Sequence, residues 1–297
     1  MRVVIPDDYQ DAVRGLDCFA KLAGHEVTVL RGPLDVFDAE ALVLIRERSA
    51  ITDELLAKLP ALRLIAQTGR GTAHIDMEAC RRRGVEVAVG TGSPYAPAEL
   101  TFALMLAASR RICAEASSLR GGGWQTGLGR TLRGRTLGIW GYGKIGSLVA
   151  GFGRAFGMNV IAHGRSAPAD GTAFEPDRAR FLAAVDVLSL HLRLVEETRG
   201  IVRAADLARM KYDALLVNTA RAELIEPGAL AAALQAGRPG FAALDVFENE
   251  PAVNDPLPAL DNVLATPHLG YVEKDSYELY FGQAFDAVNA FANRVSG

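Results

Sequence analysis

Near the middle of the chain stands Leu137-Gly138-Ile139-Trp140-Gly141-Tyr142-Gly143-Lys144-Ile145-Gly146. An apolar run of strand character passes into glycines spaced G-x-G-x-x-G, and Ser147-Leu148-Val149-Ala150 continue as a helix. In such a unit Gly141 permits the tight turn, Gly143 lets the backbone approach a pyrophosphate, and Gly146 lets the helix pack close on the strand. The start of the helix offers unpaired N–H groups to the anion. The expected class is therefore α/β, with a parallel sheet built to hold a dinucleotide.

Working outward, strand candidates at 136–140, 159–162, 185–190, 214–217, 241–246 and 263–265 read as nearly continuous apolar runs, as strands covered on both faces do. Six strands in βα alternation is the count of a Rossmann dinucleotide-binding domain. Upstream, short β-branched runs at 2–5, 26–30, 41–45, 62–68 and 85–89 alternate with amphipathic stretches and predict a second parallel sheet. Thr52-Asp53-Glu54 opens a short helix through Leu59 that Pro60 ends. The turn formers at 91–97 precede a long helix-forming stretch, 98–119, and mark a domain boundary. Residues 1–96 with 271–297 are expected as one domain and 97–270 as the other, the helical tail at 276–295 packing back on the first.

A chain of 297 residues has room for two domains. With 32 basic against 35 acidic side chains and a net charge of -3, it lacks the electrostatic footprint of a nucleic-acid binder. Its one basic run, Arg81-Arg82-Arg83 before Gly84, reads as the last turn of a helix closed by a glycine cap. Cys18, Cys80 and Cys113 form no C-x-x-C pair, so neither a disulfide framework nor a metal site is suggested and a reducing compartment fits. There is no secretory leader pattern, and the longest apolar stretch, 100–108, is too short to span a bilayer. A cytoplasmic location without a membrane partner is the expectation.

A carboxylate that binds the adenosine ribose normally lies about 20 residues beyond the first glycine, at the end of the second strand. Here the chain reads Ala162-His163-Gly164-Arg165-Ser166, with a guanidinium and a hydroxyl instead. Arg165 would suit a 2′-phosphate through charge-assisted hydrogen bonds, although Gly-Arg-Ser is also an ordinary solvated turn. The cofactor expected is NADP in preference to NAD.

Ligands of open α/β sheets sit beyond the carboxyl ends of the strands. There the fourth strand delivers Asn218-Thr219-Ala220-Arg221, the fifth Asp245-Val246-Phe247-Glu248-Asn249-Glu250-Pro251, and the sixth Thr266-Pro267-His268-Leu269-Gly270. Reduction of a 2-oxo acid needs a hydride donor, an acid for the carbonyl oxygen and a cation for the carboxylate, and the nicotinamide carries only the first. His268 can be the acid or, in reverse, the base. Glu250 would favour the imidazolium and fix the ring, and Arg221 would clamp the carboxylate and polarise the carbonyl. Each has a plainer alternative: a surface ion pair for Arg221, a solvated loop carboxylate for Glu250, a capping role for His268. His191, which also ends a strand, competes with His268, and Glu248 competes with Glu250. Asp245 would accept from the nicotinamide carboxamide or bond local backbone.

These motifs, in this order and spacing, resemble the D-isomer-specific 2-hydroxyacid dehydrogenases over nearly the whole chain. The resemblance implies that Arg221, Glu250 and His268 are the catalytic trio and that a flavodoxin-like first domain binds substrate. It also implies a homodimer whose interface uses the 98–119 helix. Cofactor contacts are then expected from Gly141, Tyr142, Gly143, Lys144, Ile145, Gly146, Gly164, Arg165, Ser166, His191, Asn218, Thr219, Ala220, Asp245 and Gly270. The family's carboxylate-binding glycine loop corresponds to Gly69-Arg70-Gly71-Thr72-Ala73-His74-Ile75-Asp76, with Ala73-His74 in place of the usual Asp-Asn and Arg70 where a small residue is common. Substrate contacts are expected from Arg46, Gly69, Arg70, Gly71, Arg221 and His268. Arg46 and Arg48 resemble positions that face the substrate in phosphoglycerate dehydrogenases, and Arg193 replaces a usual proline. The 164–166 stretch resembles NADP-preferring glyoxylate/hydroxypyruvate reductases.

The expected activity is NAD(P)-dependent hydride transfer between nicotinamide and a small 2-hydroxy acid of D configuration, of glyoxylate/hydroxypyruvate or phosphoglycerate type. A nucleotide-sensing binding protein or co-repressor on the same scaffold would be expected to carry extra tails, and an enzyme acting on formate or phosphite is a second rival. Ending at 297, the chain is expected to lack the C-terminal regulatory domain of some phosphoglycerate dehydrogenases, and so feedback inhibition by serine.

Overall fold

Strands β1 (Arg2–Ile5), β2 (Glu26–Val29), β3 (Ala41–Leu44), β4 (Leu64–Gln67) and β5 (Glu86–Val89) pair parallel in the order β2-β1-β3-β4-β5. This is the flavodoxin-like order. The computed structural model describes residues 1–35 and 38–296; Val36, Phe37 and Gly297 lie outside the described residues. Helix α1 (Asp53–Ala57) starts where the Thr52 hydroxyl accepts from the Leu55 amide at 3.2 Å, an N-cap worth about 1 kcal/mol. Helix α2 (Met77–Arg82) is capped by Asp76, and its basic last turn runs out through Arg83 into Gly84 at φ 69.

Contacts divide the chain into two units, Met1–Ser93 with Val272–Gly297, and Pro94–Tyr271. The second unit opens with α3 (Tyr95–Ser109) and α4 (Ile112–Arg120). The single helix expected over 98–119 is therefore broken. The Ser109 carbonyl, which a continuing helix would give to the amide four residues on, instead accepts from the Arg130 amide at 2.7 Å. Arg111 turns into the left-handed region at φ 55.

Next come β6 (Thr136–Trp140), α5 (Lys144–Ala155), β7 (Asn159–His163), β8 (Ala173–Phe174), α6 (Arg178–Ala184), β9 (Val187–Leu190), α7 (Ala204–Leu207), β10 (Leu215–Asn218), α8 (Ala229–Gln235), β11 (Phe241–Leu244) and β12 (Val263–Ala265). All seven strands are parallel, in the order β12-β11-β10-β9-β6-β7-β8. The sheet thus has seven strands where the sequence predicts six. The addition, β8, is two residues long and too short to carry a periodic pattern. The remaining order is that of a doubly wound dinucleotide fold, whose ligand crevice lies where the strand order reverses, at β6 and β9. Every residue of β9 and β10 is buried, which explains their nearly continuous apolar sequence, broken only by Ser189 and the terminal Asn218.

The last helix, α9 (Lys274–Ser296), belongs to the first unit, where it buries Phe281, Phe285 and Val288. Its Glu278 carboxylate accepts from the Asp17 and Cys18 amides at 2.6 and 2.9 Å. No described helix is long and apolar enough to cross a membrane.

Candidate active site

The glycine turn has the geometry its spacing requires. Gly141 lies at φ 100, and a side chain there would also strike the His191 carbonyl at 2.8 Å. A Cβ at Gly146 would come within 2.3 Å of the Gly141 carbonyl oxygen. Gly143 differs: its φ of -97° suits any residue, and a Cβ there would meet nothing within 4 Å. Neither backbone conformation nor packing within the protein requires glycine at 143. What its missing side chain keeps open is the approach to the first amides of α5, a cradle for an anion. The turn from Gly141 to Gly146 at the start of α5 therefore fits the pyrophosphate of a dinucleotide.

At the end of β7, Gly164 leads into exposed Arg165 and Ser166. Neither side chain makes a hydrogen bond or ion pair with another described residue. His163 is consumed structurally: it is buried, its Nδ1 pairs with the Glu175 carbonyl at 2.8 Å, and it stacks on Phe181 at 4.9 Å.

Three loops meet at the carboxyl edge of β10, β11 and β12. The buried Asn218 side chain accepts from the Ala220 amide at 3.0 Å and donates to the Arg221 carbonyl at 2.9 Å, fixing the turn that carries Arg221. Thr219 shares a 2.6 Å hydroxyl contact with Thr101 of α3. Asp245, fully buried, takes the Thr266 hydroxyl at 2.6 Å, the Leu269 amide at 2.7 Å and the Gly270 amide at 2.9 Å. Burial pushes this carboxyl up, against those donors and the charge of His268. Both Asn218 and Asp245, expected at the cofactor, thus direct their side chains to the loops that carry Arg221 and His268.

His268 sits in the left-handed region at φ 53, a conformation the Asp245 clamp holds on either side of it. Its Nδ1 lies 2.6 Å from Glu250 Oε2, while Glu250 Oε1 accepts from the Phe247 amide at 3.0 Å. Burial works to raise the Glu250 carboxyl, but the hydrogen bond and charge of His268, the Phe247 amide and the nearby Arg221 outweigh it and hold it below the usual carboxylate range. With Nδ1 committed to a carboxylate, Nε2 is the ring nitrogen left to give or take a proton at a substrate oxygen. Tyr271 packs edge-on against the imidazole at 5.4 Å.

His191 is placed differently. Although the residue keeps some solvent contact, its surroundings are protein, and burial pushes the imidazole down to about 4. Its Nε2 pairs with the Ser189 hydroxyl at 2.9 Å. A ring that is neutral at neutral pH has no proton to donate as an imidazolium, so the competition between the histidines favours His268. Glu250, not Glu248, is the carboxylate that reaches it.

In the first unit, Arg46 follows β3 at φ 54, and its Nη1 lies where a Cβ on Gly69 would be, 1.9 Å away. Its amide donates to the Thr68 hydroxyl at 2.8 Å, and its guanidinium lies 5.6 Å from the Tyr280 ring centre. Arg48 donates to the Asp7 carbonyl at 2.6 Å and lies over Tyr9 at 4.6 Å. Gly71 has Glu47 beside it, 2.2 Å from an added Cβ, and Arg70 is exposed. Both ring nitrogens of His74 are buried with no hydrogen-bond partner among the described residues, and burial lowers its pKa. The Arg46 and Tyr280 pairing has no local sequence signal, because it joins the end of β3 to the tail helix.

Residues 102–270 match the D-isomer specific 2-hydroxyacid dehydrogenase family, NAD binding domain. The chain is 40% identical over 275 residues to the glyoxylate reductase of Aeropyrum pernix, covering 86% of this chain and 80% of that protein. It is 39% identical over 241 residues to the D-3-phosphoglycerate dehydrogenase of Methanocaldococcus jannaschii, covering 78% of this chain but only 46% of that protein. The crystal structure of a phosphoglycerate oxidoreductase from Vibrio cholerae superposes with a TM-score of 0.94 at 53% identity, over 99% of each chain. The chain belongs to the D-isomer specific 2-hydroxyacid dehydrogenases, oxidoreductases that act on a CH–OH group with a nicotinamide cofactor. The binding-protein alternative is not favoured.

Proposed function

We propose that the protein reduces a small 2-oxo acid of the glyoxylate or hydroxypyruvate type to the D-2-hydroxy acid, with NADPH preferred to NADH. The observation that carries the reaction is the 2.6 Å contact of His268 Nδ1 with Glu250 on the sheet edge that also bears Arg221. The bound nicotinamide supplies the hydride. Arg221 binds the substrate carboxylate and polarises the keto oxygen, His268 Nε2 delivers the proton to that oxygen, and Glu250 holds the ring and stabilises its charge.

NADPH is favoured because Arg165 and Ser166 are exposed at the end of β7, where an NAD-type site would carry a carboxylate. The relative named glyoxylate reductase supports the small acid. A phosphorylated acid is a second reading, favoured by Arg70, whose exposed guanidinium has no partner among the described residues. Gly69, Arg70, Gly71 and Arg46 are the proposed substrate contacts of the first unit. A cytoplasmic homodimer completes the reading, supported by Ile112, Leu119, Trp124 and Leu128, on α4 and the segment after it, which are 53%, 59%, 75% and 96% exposed.

The test is to follow NADPH and NADH oxidation separately with glyoxylate, hydroxypyruvate, its 3-phosphate, pyruvate and bulkier 2-oxo acids. The highest kcat/KM is expected for glyoxylate or hydroxypyruvate with NADPH. Arg165→Ala should raise KM for NADPH about tenfold, the equivalent of one charge-assisted hydrogen bond, and leave NADH unchanged. Turnover of none of the acids would overturn the proposal.

A further inference from the structure

The segment 164–172, between β7 and β8, carries the proposed reader of the adenosine ribose, and it returns to the glycine turn at its far end. Its near end is held by β7, where the Gly141 amide donates to the His163 carbonyl at 3.0 Å. At its far end, Tyr142 of the glycine motif donates its hydroxyl to Asp170 Oδ2 at 2.6 Å and contacts the Thr172 hydroxyl at 2.9 Å. Thr172 gives both its amide, at 3.0 Å, and its hydroxyl, at 2.6 Å, to Asp170 Oδ1. Arg154, in the last turn of α5, donates to the Tyr142 hydroxyl at 3.2 Å and also to the Thr172 hydroxyl. Both Asp170 oxygens are therefore engaged. The Thr172 and Tyr142 hydroxyls and the Thr172 amide, with Arg154 nearby, hold its carboxyl down at about 2, so it is ionised throughout the working range. The Tyr142 ring packs against the core cluster that includes Leu137 and Val149.

We infer that Tyr142 is a positioning residue: through Asp170 and Thr172 its hydroxyl sets the 164–172 segment for the adenosine half of the cofactor. Two consequences follow from the contacts. The six residues between the anchors, Gly164 to Ala169, have both ends fixed before any ligand arrives, so less ordering is left to oppose binding. Asp170 is the first carboxylate after β7 in the chain, and each of its oxygens already accepts within this tether. Arg165 and Ser166 are exposed within this segment, and their side chains have no partner among the described residues. Nothing in the G-x-G-x-x-G pattern asks for a tyrosine at its second position; the hydroxyl is a local addition to the motif. The inference rests on the reading above that this segment meets the adenosine ribose.

The test uses Tyr142→Phe, which keeps the ring in the core and removes the hydroxyl, and Asp170→Asn, which leaves the glycine turn untouched. Hydrogen exchange of the ligand-free protein should show lost protection within 164–172 in both variants, with the β6 and α5 amides unchanged. Calorimetry with 2′,5′-ADP, which carries the adenosine half alone, should show binding weakened roughly three- to tenfold, the net worth of about one hydrogen bond. In steady state Asp170→Asn should raise KM for NADPH by a similar factor and keep kcat, a split that general loss of structure would not produce. Unchanged exchange and unchanged 2′,5′-ADP affinity in both variants would overturn the inference. If both variants weaken 2′,5′-ADP while Arg165→Ala does not, the tether stands and the assignment of Arg165 to the 2′-phosphate falls.

Discussion

The carboxyl edge of the seven-stranded sheet has two halves built in opposite ways. At β10, β11 and β12 nearly every polar side chain is already satisfied: Asn218 by its own turn, Asp245 by three donors, Glu250 by the Phe247 amide and His268. At β6 and β7 the side chains of Lys144, Arg165 and Ser166 have no described partner, and Gly143 faces open space. The difference matches what the proposed function asks of each half. A group that moves a proton must be oriented before the substrate arrives, because orientation acquired during the reaction adds to the barrier. A group that binds an anion must keep its donors unspent, because a donor already satisfied has little left to give the ligand.

Substitutions at the wired half should act on chemistry, and the largest effect belongs there. His268→Ala is expected to lower kcat by roughly a hundred- to ten-thousandfold, the usual range for a general acid or base, while His191→Ala costs far less. A larger loss from His191→Ala, measured under saturating NADPH, would place the proton donor in the wrong loop.

The open half is tested by two glycines of the same turn. Gly143→Ala should weaken NADPH about tenfold or more while costing less than about 1 kcal/mol of stability, since alanine is only a poorer N-cap there. Gly146→Ala, whose Cβ would meet backbone at 2.3 Å, should cost about 1–3 kcal/mol of stability. Urea unfolding and cofactor titration read the two effects separately, and equal behaviour of the two variants would erase the distinction between ligand space and packing.

The last effect, confined to acid pH, comes from His191, whose carbonyl lies against the glycine turn at Gly141. Its folded imidazole takes a proton only near 4, against 6.5 for the ordinary value, so between these values the unfolded chain binds the extra proton. Stability is then full above about pH 6.5 and falls as the pH drops toward 4. His191→Asn should flatten that slope, recovering about 2 kcal/mol of the loss between pH 7 and 5. An identical acid slope in the variant would show that another group sets it.

Much of this edge is legible in the residues themselves. The glycine spacing, the apolar strands and the ends Asn218 to Arg221, Glu250-Pro251 and His268 carry the class of chemistry, because turn geometry and catalysis restrict residue choice at those points. Contacts made at a distance in the chain are not legible. Nothing near residue 111 announces a helix break, since the cause is an amide 21 positions away from Ser109, at Arg130. Asp245 reads as a cofactor ligand by position, and only the fold shows both its oxygens engaged by the His268 loop. The left-handed backbone at Arg46 and His268 is likewise held by partners from other strand ends, Thr68 and Asp245, and positive φ is uncommon for any residue other than glycine.

Whether this edge is the reaction centre of a D-2-hydroxyacid dehydrogenase can be read from the configuration of the product. Pyruvate or hydroxypyruvate should be incubated with NADPH and the purified protein, and the hydroxy acid resolved by chiral chromatography against both enantiomers. The D acid is expected in amounts matching the NADPH oxidised, with about a hundredth as much or less from His268→Ala in the same time. Formation of the L acid, or equal product from the variant, would contradict it.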